Sequence, residues 1–176
     1  MRRIVAGLAL LVLAACAREM PLAPVPSYRD SNVMIASIAS FDPARFAGRW
    51  YEIASFPTPS RQGCTDAQST YALVAEGLRV VNTCLRGGRA ERIVGTARVT
   101  GPGRLDMQLD GVLGTYWVLW VDEGYRTAVI GMPSGRGGWI LNRDPTIPPD
   151  RLAAAREILD FNGYDLSRLR MTPQSR

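Results

Sequence analysis

The stretch Phe-Ala-Gly-Arg-Trp-Tyr-Glu-Ile at residues 46–53 opens a series of short segments rich in β-branched and aromatic residues. Glycine, proline and charged residues separate these segments at intervals of about ten residues, which is the spacing of an antiparallel meander. Eight such strands can close into a barrel that admits one small ligand, and an open sandwich is the alternative. The predicted strands are 49–54, 67–74, 78–85, 92–99, 104–109, 116–121, 126–131 and 139–143.

One helix is predicted after the last strand. Residues 148–150 (Pro-Pro-Asp) fit a first helical turn and residues 162–163 (Asn-Gly) fit a stop, so the helix ends near Phe161. An apolar stripe at helical spacing predicts that the helix packs on the outside of the barrel. The stripe consists of Leu152, Ala155, Ile158 and Leu159. Residues 168–176 are expected to fray.

The amino terminus has the parts of a secretory signal: basic residues 2–3, an apolar run over 4–13 and small residues 14–15. The run is shorter than the roughly 20 residues of a spanning helix. Leu-Ala-Ala-Cys at residues 13–16 resembles the lipobox of bacterial lipoproteins, which implies removal of residues 1–15 and acyl groups on Cys16 as the membrane contact. Because Ala17 is not aspartate, the resemblance implies the periplasmic face of the outer membrane. An ordinary signal with an incidental cysteine is the alternative.

Residues 16–40 are predicted to form the lipidated amino terminus and a tether, and residues 41–172 a single domain. The segment between the cysteine and the domain combines three prolines with small residues and no sustained periodicity. The alternative, for residues 33–38, is that part of the segment forms a strand or packs on the domain.

The chain contains no histidine, and all of its basic residues are arginine. These absences exclude a Ser-His-Asp triad, an imidazole haem ligand, an ordinary zinc site and a lysine Schiff base. Without the two arginines of the signal, 19 basic residues stand against 16 acidic ones. The resulting charge of +3 is too small to indicate a nucleic-acid partner. No pattern indicates a cofactor or a metal.

Three motifs, in order, resemble the lipocalin family. They are Gly48-Arg49-Trp50 in the opening stretch, Tyr-Trp-Val-Leu-Trp-Val-Asp at residues 116–122 followed by Tyr125, and Trp-Ile-Leu-Asn-Arg-Asp-Pro at residues 139–145. The resemblance covers about residues 41–172 and is closest to bacterial outer-membrane lipocalins, apolipoprotein D and plant temperature-induced lipocalins. It implies an all-β, eight-stranded antiparallel up-and-down barrel with one carboxy-terminal α-helix on its outside.

The resemblance also implies roles for five residues. Trp50 closes the base of the barrel and Arg143 stacks on it, in a cation-π pair of about 0.5 to 2 kcal/mol. Tyr71, Asn82 and Trp139 match cavity-lining residues of the family, so they are the predicted ligand-binding residues. The alternative for each of these three is core filling or an external contact.

A two-residue hairpin turn at Glu76-Gly77 would place Tyr71 directly opposite Asn82. Because side chains alternate along a strand, both would share the inner face with Cys84.

Cys64 and Cys84 are an even pair in an oxidising compartment, which favours a disulfide. The same register puts Cys64 about 16 Å beyond its partner along an extended strand. A disulfide tolerates Cα separations only up to roughly 7 Å. Residues 60–66 must therefore bend back toward the third strand if the bond is to form.

The predicted function is binding of a small hydrophobic ligand, a fatty acid or lysophospholipid, for lipid storage or transport in envelope maintenance. No catalysis is expected. An enzyme would need an activated thiol or carboxylate inside the barrel, for which Cys84 and Glu52 are the candidates. A structural lipoprotein with a filled barrel is the third alternative. The sequence leaves a homodimer open.

Overall fold

The computed structural model describes residues 27–175, so the predicted signal and Cys16 lie outside the described residues. Within that range, eight antiparallel strands form a closed barrel, because β1 pairs with both β2 and β8. The predicted up-and-down barrel is therefore confirmed. The strands are β1 Gly48–Ser55, β2 Cys64–Val74, β3 Gly77–Arg86, β4 Arg89–Gly101, β5 Arg104–Leu109, β6 Val112–Val121, β7 Thr127–Gly131 and β8 Gly138–Asn142.

The strand connections define two ends of the barrel. A short helix, α1 (Pro43–Phe46), precedes β1 at the end that also carries the β2–β3, β4–β5 and β6–β7 connections. We call this the closed end. The open end carries the β1–β2, β3–β4, β5–β6 and β7–β8 connections. The β5–β6 turn, Asp110-Gly111, has φ angles of +47° and +78°, which are typical of the type I′ turn that suits strand twist.

A second helix, α2 (Pro149–Phe161), lies outside the barrel and confirms that prediction. Its residues Ala155 and Leu159 are fully buried, and they share an outer core with Phe56 and Ile140. The stripe read from the sequence is therefore the face that packs on the sheet. Among the described residues, no helix has the length and apolar character needed to span a bilayer.

Residues 168–175 pack on the barrel, so the expectation of fraying was wrong for them. β2 pairs with β1 only as far as Tyr51, and the short strand β9 (Arg170–Met171) then takes its place beside β1. Thr172 donates a hydrogen bond to Glu52 at 2.8 Å. Open backbone groups on the far part of β1 thus hold the tail.

The segment that precedes the domain also packs on the barrel. Tyr28 is buried, and its backbone N–H donates to the carbonyl of Gly135 at 2.7 Å at the open end. Further along, the N–H of Ile38 donates to the carbonyl of Val118 at 2.9 Å. Residues 28–38 therefore run along the outer wall toward the closed end, instead of forming a free tether up to residue 40. The packing alternative weighed for residues 33–38 is the arrangement found.

Candidate functional site: a cavity at the open end

The closed end of the barrel is plugged by Trp50, which is fully buried and donates from Nε1 to the carbonyl of Phe46 at 2.8 Å. The guanidinium of Arg143 lies 3.7 Å from the centre of the Trp50 ring, in the arrangement that the resemblance predicts. The same guanidinium donates to the carbonyls of Arg49 and Ala47 at 2.8 and 2.9 Å. These bonds tie the tryptophan, α1 and the start of β1 into one cap.

Above this plug the barrel holds a cavity of about 320 Å³ that extends to the open end. Its volume is at the lower end of the roughly 300–1,000 Å³ found for small-molecule sites. Apolar side chains from several strands form much of its wall: Ile93, Met107, Leu109, Val112, Ile130, Trp139 and Leu141. Cys84 and a set of polar and charged groups complete it: Ser60, Arg61, Ser69, Tyr71, Asn82, Thr83, Glu91, Asp110 and Tyr116.

The three predicted ligand-binding residues, Tyr71, Asn82 and Trp139, all line this cavity. Asn82 Oδ1 and Trp139 Nε1 are buried and have no hydrogen-bond partner within residues 27–175. An unpaired buried polar atom lowers the stability of a fold by about 1 to 3 kcal/mol. Two such atoms at one cavity are therefore uncommon in a folded protein. A ligand with its own polar group could pair with them.

The strand register that led to these residues was wrong by two positions. Tyr71 pairs with Val80, and Asn82 pairs with Ser69. The turn lies one residue earlier than predicted, because Gly77 already pairs with Val74 as part of β3. Gly77 has φ of +135°, and a Cβ there would lie 2.4 Å from a backbone oxygen of β4. A slip of two preserves the face of every side chain, so the predicted inner face survived the error.

Cys64 and Cys84 form a disulfide with a Cα separation of 5.5 Å. The predicted gap closes through the register slip together with a β-bulge, since the pairing shifts between Thr65 and Gln68. Asp66 inside the bulge has φ of +51°. The extra residue shortens the path of β2 relative to β3.

Two tyrosines, Tyr71 and Tyr116, line the cavity. Burial raises the pKa of Tyr71 to about 12, with a further contribution from Tyr116, while Arg61 and Ser69 act in the opposite direction. Burial also raises the pKa of Tyr116, again against the influence of Arg61. Both phenols are therefore neutral hydrogen-bonding groups near pH 7, and Arg61 is the cation that the cavity wall places near them.

The candidate groups for catalysis lie elsewhere or are blocked. Glu52 is buried, but it contacts Thr172 and an Arg61 guanidinium nitrogen at 3.5 Å and is not part of the cavity wall. Within residues 27–175, the cluster of metal-ligating types is Cys64, Cys84 and Glu91, whose ligand atoms lie within 4.8 Å of one another. Both sulfurs are held in the disulfide, so neither is a thiolate ligand.

The polar members of the wall that sequence reasoning missed include Arg61 and Tyr116. Tyr116 begins a predicted strand, and period-two alternation puts it on one face with Val118 and opposite to Trp117, but alternation alone does not decide which face is the inner one. Arg61 lies in the β1–β2 connection, where no periodicity exists to read.

Comparison with known proteins agrees with the fold. The family model for a lipocalin-like domain matches residues 41–174. The chain is 35% identical to temperature-induced lipocalin-1 of Arabidopsis thaliana over 145 residues, which cover 74% of this chain and 78% of that protein. It is 30% identical to the outer membrane lipoprotein Blc of Escherichia coli over 141 residues, which cover 76% and 80%. The chain therefore belongs to the lipocalin family.

A solved structure shows the same architecture. Insecticyanin from the tobacco hornworm Manduca sexta superposes with a TM-score of 0.69 at 20% identity, covering 86% of this chain and 88% of that one. At this identity the similarity concerns the fold alone. Lipocalins as a family bind small hydrophobic ligands.

Proposed function

We propose that this protein takes up one acyl chain in the barrel cavity, from a fatty acid or a lysophospholipid, for lipid storage or transport. The observation that carries the proposal is the cavity of about 320 Å³ with its apolar wall and two polar atoms, on Asn82 and Trp139, that no group among residues 27–175 pairs with. Each buried methylene contributes about 0.8 kcal/mol. The small volume favours one chain over the two of a diacyl phospholipid.

Arg61 supports an anionic headgroup on the ligand. It lines the cavity together with Tyr71 and Tyr116, and its positive charge acts to lower the pKa of both phenols. Its pairing with Glu52 is loose, at 3.5 Å. A carboxylate or phosphate at the mouth would accept charge-assisted hydrogen bonds from this guanidinium.

The lipid anchor and the outer-membrane location are part of the proposal. They rest on Leu-Ala-Ala-Cys at residues 13–16 and on Ala17, and the similarity to an outer membrane lipoprotein of Escherichia coli supports them. Mass spectrometry of the mature protein is expected to find its amino terminus at Cys16 with acyl groups attached. A Cys16→Ser chain is expected to leave the membrane fraction, and an unmodified cysteine in the wild type would contradict the anchor.

Ligand uptake is tested by loading the delipidated protein with palmitate or lysophosphatidylethanolamine and detecting complexes by native mass spectrometry. Ile93→Trp is expected to fill the cavity and prevent loading. Its neighbour Val94 points to the other face and is absent from the cavity wall, so Val94→Trp is the matched control and should load normally. Failure of the wild type to load either lipid would sink the proposal.

We propose binding without catalysis. A lipocalin enzyme based on a thiol would need Cys84 reduced, and the disulfide with Cys64 blocks that route. Alkylation under non-reducing conditions should therefore label neither cysteine. Labelling of both would reopen the enzymatic alternative.

A further inference from the structure

The β5–β6 hairpin at the open end exposes two adjacent apolar side chains. Val112 is 70% exposed and Leu113 is 78% exposed. A side chain added at the neighbouring Gly111 would meet no atom within 4 Å, so the tip projects into open space. Val112 also belongs to the cavity wall. Exposed apolar side chains beside a cavity mouth are typical of a surface that contacts a membrane or another protein.

The charges at the open end differ in sign from those at the closed end. We define the open rim as residues 56–63, 86–91, 109–113 and 132–137, which contain four arginines and two acids. The closed-end connections, residues 42–47, 75–76, 102–103, 122–126 and 143–147, contain three arginines and five acids. Two arginines of the open rim, Arg89 and Arg136, are exposed and form no ion pair within residues 27–175.

The described chain begins at the same end. Tyr28 is held there by its N–H bond to Gly135 and by a hydrogen bond from its hydroxyl to the carbonyl of Pro57. Cys16 precedes Ser27 by eleven residues, which span at most about 40 Å when fully extended. An acyl anchor on Cys16 would therefore tether the domain to the bilayer from the side of the open rim.

We propose that the open rim docks on an anionic lipid surface. Val112 and Leu113 enter the boundary between headgroups and acyl chains, while Arg89 and Arg136 pair with lipid phosphates. The cavity mouth then faces the bilayer, and an acyl chain passes between membrane and barrel without crossing open water. This use of the rim rests on the proposed uptake of an acyl chain.

A fluorescent probe on the hairpin tests the docking directly. The whole mature lipoprotein carries Leu113→Cys labelled with an environment-sensitive dye, and it is reconstituted into vesicles of phosphatidylethanolamine and phosphatidylglycerol. Leu73→Cys is the matched control, because Leu73 is an exposed apolar residue (55%) next to the closed end. We expect a blue shift and quenching by brominated lipids for the label at 113 and neither for the label at 73.

Charge is tested with the same probe. Vesicles of phosphatidylcholine alone should weaken the signal at 113, and Arg89→Ser and Arg136→Ser should each lower the docking equilibrium about fivefold on anionic vesicles. A label at 113 that reports water in anionic vesicles would overturn the proposal, as would equal signals at 113 and 73.

The probe reading does not need a bound ligand, so it separates docking from ligand uptake. Docking without loading of palmitate would leave the rim proposal standing as a membrane contact and remove its role in exchange. If mass spectrometry finds no acyl groups on the mature chain, flotation of the labelled protein with the same vesicles replaces reconstitution, and absence from the vesicle fraction overturns the docking.

Discussion

The two ends of the barrel differ in whether their buried polar groups have hydrogen-bond partners. At the closed end, Arg143 spreads its donors over backbone carbonyls and covers Trp50, whose own N–H is paired. Toward the open end, the indole N–H of Trp139 and the amide oxygen of Asn82 are buried and have no hydrogen-bond partner in the described part of the chain. Two tryptophans of one barrel thus differ in whether their polar atom is satisfied.

The difference separates stability from binding. A satisfied polar group adds to the stability of the fold, whereas an unsatisfied one lowers stability until a ligand supplies its partner. We therefore expect substitutions at the closed end to change the free energy of unfolding, and substitutions at the cavity to change affinity.

The largest expected effect is that of Arg143→Ala. Loss of the cation-π contact and of several charged hydrogen bonds should lower the free energy of unfolding by about 3 to 4 kcal/mol. Urea titration of the free protein measures this loss. Affinity for palmitate in the folded variant should change little, because Arg143 does not line the cavity. A variant with normal stability but abolished binding would contradict the assignment of stability to the closed end and of binding to the cavity.

The disulfide at the open end is expected to contribute about 3 kcal/mol, because it closes a loop between cysteines 20 residues apart. A Cys64→Ser/Cys84→Ser double variant should lose this stability. A reducing agent should lower the stability of the wild type and leave the double variant unchanged. Equal sensitivity of both proteins to the reducing agent would show that the bond does not act this way.

The ionisation of Tyr71 predicts a loss of stability in alkali. Its pKa is raised to about 12 by burial, from 10.0, so above pH 10 the unfolded chain releases this proton while the folded chain keeps it. The contribution to stability is fully present below pH 10 and is lost between pH 10 and 12, by up to about 2.7 kcal/mol for two pKa units at 1.36 kcal/mol each.

Urea titrations across this pH range measure the effect, with Tyr71→Phe as the comparison. The variant should show a shallower decline and retain the contribution of Tyr164, whose pKa is also raised to about 12 by burial. Identical slopes for wild type and variant would exclude Tyr71 as a source.

The smallest expected effect is an increase in stability, whereas the changes above lower it. Asn82→Leu removes an unpaired buried oxygen and should raise the free energy of unfolding of the empty protein by about 1 kcal/mol. Affinity for palmitate or lysophosphatidylethanolamine should fall about tenfold if the ligand pairs with Asn82. Thermal melts and dye displacement measure the two quantities. A variant that binds more tightly would show that the amide does not contact the ligand.

The number of strands and most strand positions could be predicted from the sequence. The β-branched and aromatic segments, and the glycine, proline and charged residues between them, are local signals. The ends of strands were less predictable. β4 runs from Arg89 to Gly101, three residues earlier than the predicted start at residue 92. Its additional residues are mostly exposed, and exposed strand residues carry little apolar pattern to read.

The strand face that carries the candidate site residues could be predicted, but the register between β2 and β3 could not. Tyr71 and Asn82 were placed on the inner face, yet their pairing partners were wrong, because the position of Gly77 depends on close contact with β4. The bulge that joins Cys64 to Cys84 has no local signal either. Its geometry depends on two strands and on the tail that binds Asp66.

The sequence by itself determined the series of strands and the apolar face of the helix, since periodicity specifies both, and its resemblance to lipocalins supplied the closed barrel, the closing pair Trp50 and Arg143 and the predicted cavity residues. Only the tertiary structure decided which polar atoms remain unpaired, how large the cavity is, and that residues 28–38 begin at the open rim. These properties depend on contacts between residues far apart in the chain, whose distances no local pattern contains.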